Sequence, residues 1–98
     1  MLLDFCLLFA FNRVVSLKLY LVSCDLLQDG DYASLRARLR TFEASPVLAN
    51  QWALHSSHTA AQLKDILKHF LHEGDRIVVA EVGAERASRR ALSNLTEL

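Results

Sequence analysis

The stretch LKLYLVSCD, residues 17–25, is apolar on both of its alternating sides, and no other feature constrains the chain as much. In an extended segment successive side chains point to opposite faces, so Tyr20, Val22 and Cys24 share one side while Leu19 and Leu21 share the other. A strand of this kind is unstable at a wet surface and belongs inside a sheet that is covered above and below. Asp25 ends it, followed shortly by the turn residues QDGD. At this point Asp25 reads either as a carboxylate placed for chemistry or as the polar residue where a buried strand meets water.

The rest of the chain supplies partners for that strand. Asp31 is expected to cap a helix over residues 32–43, in which Tyr32, Leu35, Leu39 and Phe42 recur at three- and four-residue steps. Ser45-Pro46 is expected to end it, because proline disfavours helical geometry in the residue before it. VLANQWALHSS (residues 47–57) reads as two short extended pieces broken near Asn50-Gln51, with Trp52 and Leu54 on one face. Thr59 and Gln62 have the spacing of a capping box, opening the clearest amphipathic helix through Leu63, Ile66, Leu67, Phe70 and Leu71. Gly74 is placed to close it, and RIVVAEVG (residues 76–83) is the last strand. In the tail, residues 84–98, alanines and leucines accompany Arg86, Arg89 and Arg90, and a short final helix is expected.

Strand, helix, two strands, helix, strand is the βαββαβ order of an α+β ferredoxin-like sandwich, a four-stranded antiparallel sheet with two helices on one face. The domain spans residues 17–83. Two helices on one side leave the other side of the first strand uncovered, so a second subunit stacking there, a homodimer, is expected. At 98 residues with 52% hydrophobic composition, the chain is small and unusually apolar, which agrees with burial beyond a monomer core. Eleven basic and eleven acidic residues cancel, so any site for a polyanion must be a local patch. Cys6 and Cys24 have no metal-ligand spacing and form no disulfide framework, which fits a reducing cytoplasm.

Residues 1–16, MLLDFCLLFAFNRVVS, form an apolar extension. Asp4 stands where a signal peptide carries positive charge, and Arg13 follows the apolar run instead of preceding it. The run also falls short of the roughly 18 to 20 residues that cross a bilayer, so no membrane role is expected. An additional packed element, or an upstream extension from a misplaced start codon, fits better.

LYLVSCDL, followed by DYASLRARLRTF, QWAL and LKDILKHFLHEGDRIVVAEV, resembles small bacterial proteins of the Cas-two-like superfamily. That superfamily holds the CRISPR-associated Cas-two protein, the virulence-associated D toxins and short SinR-like proteins. The likeness covers residues 17–82 and is nearest to the SinR-like group, in which YLVSYDL opens the domain and a Trp-bearing strand precedes the second helix. Cys24 stands where those relatives usually carry tyrosine, and the glutamine- and serine-bearing run of the CRISPR-associated members is not recognisable in VLANQWALHSS. The resemblance implies a ferredoxin-like homodimer. In its nuclease members an aspartate at the end of the first strand is proposed to bind a divalent metal across the dimer axis, and Asp25 matches that position.

Two functions from different classes follow. One is a metal-dependent endonuclease or endoribonuclease with Asp25 as catalytic metal ligand for Mg2+ or Mn2+. Such ions take about six oxygens, so one carboxylate is too few and a second Asp25 across a two-fold axis is required. The other is a non-catalytic dimeric scaffold or adaptor in a CRISPR or toxin–antitoxin type complex. Arg36, Arg38 and Arg40 are the candidate nucleic-acid contacts, with Arg36 and Arg40 one turn apart and Arg38 on another side; the alternative is a solvated helix face. Asp29 and Asp31 fit a turn and a helix cap better than a metal cluster. His69 and His72 share a helix face without evident further ligands, and Cys24 reads as a core residue.

Overall fold

The computed structural model describes residues 17–28, Gly30 and residues 32–98. Strand β1 (Lys18–Asp25) leads into helix α1 (Ala33–Thr41), and then come strands β2 (Ser45–Leu48) and β3 (Gln51–Ser56). Helix α2 (Ala60–Leu67) runs on into a 3-10 turn, Lys68–Phe70, before strand β4 (Arg76–Glu81). The strands form one sheet in the order β2-β3-β1-β4 with every pair antiparallel. This is the α+β, ferredoxin-like arrangement, with β1 in the interior of the sheet.

The side chains divide as the alternation requires. Tyr20, Val22 and Cys24 join Trp52 and Leu54 of β3 beneath Leu35 and Leu39 of α1 and Leu63 and Leu67 of α2. Leu35, Leu63 and Leu67 are completely buried, so truncating any of them to alanine removes roughly 2–5 kcal/mol of stability. Tyr20 reaches the sheet's end with its polar tip satisfied, its hydroxyl donating to the His58 carbonyl at 2.8 Å.

The other face is covered in part by the tail. Leu19, Val47 and Ala53 pack with Leu95, and Ala91 and Leu98 add to the contact. The Leu92 N–H donates to the Val47 carbonyl at 2.8 Å, which ties the tail to edge strand β2. Arg86 donates to the carbonyls of Leu95 and Leu98 at 3.4 and 3.1 Å, folding the segment onto itself. The regular structure of this tail is a 3-10 turn, Leu95–Glu97, with Asn94 accepting the Thr96 N–H.

Local signals hold in some places and shift in others. Both halves of the capping box on α2 form: Thr59 Oγ1 accepts from the Gln62 N–H at 3.1 Å, and Gln62 Oε1 accepts from the Thr59 N–H at 2.9 Å. Helix α1 ends at Thr41, earlier than Ser45-Pro46, and both of those residues belong to β2. The stop is a Schellman motif: the Ala44 N–H reaches the Leu39 carbonyl and the Glu43 N–H reaches that of Arg40. Glu43 takes the left-handed position at φ 56°. Pro46 is tolerated because β2 is an edge strand, and the register shifts between Pro46 and Leu48. Gly74, at φ +93°, lies in the turn entering β4, beyond the 3-10 turn that closes α2. The cap position of α1 is Tyr32, which makes no side-chain cap bond. The extension 1–16 with Cys6, the Asp29 turn and the Asp31 cap lie outside the described residues.

A glutamate in the left-handed region is strained where glycine is not, so Glu43→Gly should stabilise the fold by about 0.5–1 kcal/mol. Thermal melting followed by circular dichroism checks this, and an unchanged or lower midpoint would contradict it.

Candidate functional site

Asp25 shares its face with Leu19, Leu21 and Ser23, the side of the sheet away from the helices. It pairs in register with Arg76 at the start of β4, and Arg76 Nη1 stands 3.4 Å from Asp25 Oδ2. Beside them Gln51 Nε2 donates to Ser23 Oγ at 2.8 Å. A recess of about 120 Å³ lies here, lined by Ser23, Asp25, Arg76 and Val78 together with Cys24 and Ile77. One carboxylate, one guanidinium, a serine hydroxyl and an exposed valine therefore meet at the uncovered end of the open face. The ion pair is solvent-exposed and contributes little to stability.

These residues do not make a magnesium or manganese site within one subunit. A hard cation needs several oxygens, whereas Asp25 offers one carboxylate and already has a guanidinium against it. Among the described residues no group of three or more His, Cys, Asp or Glu side chains is arranged to hold a metal. A two-fold axis through this patch would bring two Asp25 carboxylates together, and two Arg76 guanidinium groups with them.

Cys24 lies on the opposite face, in the core. Burial pushes its thiol up to about 11, with the charges of Asp75 and Asp25 adding to the rise. A thiol held protonated at neutral pH is not a nucleophile, which agrees with a packing role. Two of the four histidines serve local structure. Ser56 Oγ lies 2.9 Å from His58 Nδ1 and accepts the His58 N–H at 3.0 Å, shaping the link from β3 to α2. His72 stands edge-on to the Tyr32 ring at 5.0 Å.

The three arginines of α1 separate into two sites. Arg36 lies over the Trp52 ring, 5.7 Å from its centroid, and with Arg40 lines a cavity of about 230 Å³ near the β2 edge. Arg38 turns away, 5.1 Å from the Phe42 ring centroid, with its Nη1 3.5 Å from Thr41 Oγ1. All three belong to the helix layer, so it is Arg76, and not this set, that the fold brings to Asp25.

Sequence reasoning missed Asp75. Its carboxylate accepts the Leu27 N–H and the His72 N–H, each at 2.8 Å, and the Tyr32 hydroxyl at 2.9 Å. The Tyr32 hydroxyl in turn accepts the Gln28 N–H at 3.0 Å. This clamp joins the β1–α1 loop to the α2–β4 turn at the same end of the sheet as Asp25. Partial burial works to raise the Asp75 carboxyl, but the donors from Leu27, His72 and Tyr32 outweigh it and hold it below the usual carboxylate range. Burial pushes the Tyr32 phenol up. The only signal in the chain was an aspartate after Gly74, which reads as turn composition.

No family model, curated protein or solved structure matches the chain.

Because the Asp75 carboxyl is depressed, its contribution to stability is complete above the unfolded value of about 3.9 and is lost as pH falls through the lower folded value. Asp75→Asn should therefore melt several degrees below the wild type at neutral pH, with the gap narrowing as pH falls below the unfolded carboxylate value of about 3.9. A gap that stays constant across a melting series from pH 7 to 2.5 would contradict the clamp's charge dependence.

Proposed function

We propose that the protein is a homodimeric, non-catalytic module of the Cas-two-like kind, acting as a scaffold or adaptor within a nucleic-acid or toxin–antitoxin type complex. The observation that carries this reading is the divided open face of the sheet. The tail packs over Leu19, Val47 and Ala53, while Val78 remains 63% exposed beside Ser23, Asp25 and Arg76. Ala80 and the half-buried Leu21 lie on the same face, and with Val78 they form the apolar surface that a second copy would cover. A two-fold axis beside this patch would gather two Asp25–Arg76 pairs, so the contact would carry equal numbers of opposite charges.

A second reading, the metal-dependent nuclease, is favoured by one observation: Asp25 is exposed on this same face and, among the described residues, its carboxylate is held by one weak surface pair. Its metal would be Mg2+ or Mn2+ between two Asp25 carboxylates. The arginines nearby argue against it, since they neutralise the carboxylates that such an ion needs.

In solution at micromolar concentration the protein should have twice the 11.0 kDa mass of one chain, and Val78→Glu should return it to a monomer with an unchanged circular dichroism spectrum. A monomeric wild type would overturn the dimer. The wild type is expected to leave short RNA and duplex DNA uncut in magnesium or manganese; cleavage that disappears in Asp25→Ala would replace the scaffold with the nuclease.

A further inference from the structure

We propose that Arg36 and Arg40 form a recognition site for a terminal phosphate, taking a phosphomonoester carried on a small organic body such as a sugar or nucleotide. The site is the cavity of about 230 Å³ between the end of α1 and the β2 edge, whose remaining walls are Leu39, Ala44, Pro46 and Trp52. It stands apart from the open face and does not depend on the self-association proposed above.

Two features make this more than a solvated helix face. First, the two guanidinium groups are unclaimed. Among the described residues Arg40 has no side-chain hydrogen bond or ion pair, and Arg36 has only its stacking on Trp52. Residues four apart on a helix stand on neighbouring turns of one face, so both arginines rim the same opening. Two cations left near one another without a carboxylate repel, and a dianion between them removes that repulsion. Arginine's fork suits phosphate oxygens, and stacking on the indole restricts Arg36 before any ligand arrives.

Second, the negative end of the α1 dipole does not oppose the anion as strongly as its position suggests. The Leu39 carbonyl is taken by the N–H groups of Phe42 and Ala44, and the Arg40 carbonyl by that of Glu43. The rest of the lining is apolar, formed by Leu39, Ala44, Pro46 and the buried Trp52. A free inorganic ion leaves that lining uncovered, whereas a phosphate attached to a ribose covers it. The volume is below the roughly 300 Å³ at which drug-sized ligand sites begin, so a head group and its first ring are the natural occupants.

Trp52 is the one tryptophan of the chain and lines the cavity, so its fluorescence reports occupancy directly. The full-length protein is titrated at low salt with ribose 5-phosphate, inorganic phosphate, a short single-stranded DNA with and without a 5′-phosphate, and a phosphoserine peptide. Ribose 5-phosphate should give a saturable change. Arg40→Gln should weaken it by roughly tenfold while Lys64→Gln, a charge removal on α2, leaves it unaltered. Tighter binding of the 5′-phosphorylated DNA than of its unphosphorylated form assigns the site to nucleic-acid ends; saturation by inorganic phosphate at equal affinity assigns it to the free ion. The first keeps the phosphomonoester assignment, whereas the second, in which the organic body contributes nothing, overturns it. No saturable change with any phosphate, equal binding of the two DNA forms alone, binding of the phosphopeptide alone, or an Arg40→Gln titration like the wild type would overturn it. The Trp52 indole N–H resonance provides a second readout that does not depend on quenching, and melting of Arg40→Gln confirms that the variant is folded.

Discussion

Burial of β1 on both faces is the constraint from which the rest of the structure follows. A strand carrying Tyr20, Val22 and Cys24 on one side and Leu19 and Leu21 on the other loses its apolar burial if either side meets water. The helices satisfy the first side and the tail part of the second. Sheet neighbours on both edges satisfy its backbone, β3 along Lys18 to Ser23 and β4 along Tyr20 to Asp25. The helices, strands β3 and β4 and the tail are thus explained by which surface of β1 each covers, while β2 pairs with β3 alone.

How much of this was legible in the chain depends on whether the signal was local. The double-sided strand, the capping box at Thr59 and Gln62, and the order of elements are written in adjacent residues, and the α+β fold follows from them. The end of α1 was misplaced because Ser45-Pro46 is a strong marker, while the stop actually used, Glu43 in a left-handed conformation, is a residue with no preference for that role. The tail's packing was also hidden. Its contact with Val47 and Ala53 depends on a fold-back that no periodicity encodes.

The candidate site was legible only at one residue. Asp25 stands out as the polar end of an apolar run, but its partner Arg76 is defined by a cross-strand register between the first and last strands. Arg36 and Arg40 were visible as a pair one turn apart, yet their cavity with Trp52 and Pro46 needed the packing of α1 against the β2 edge. Asp75 illustrates the opposite case. It is an ordinary turn residue in the chain and the acceptor of three hydrogen bonds in the fold.

The Asp75 clamp also says something about how the chain reaches this state. Its contact with Leu27 spans 48 residues, and the Asp25–Arg76 contact beside it spans 51. Neither can form until β1 and β4, the two ends of the domain, have met, and closing a loop of that size costs entropy before any contact returns it. The hairpin of β2 and β3 and the capped helix α2 need no such closure. The geometry around Asp25 therefore exists only once β1 and β4 have paired.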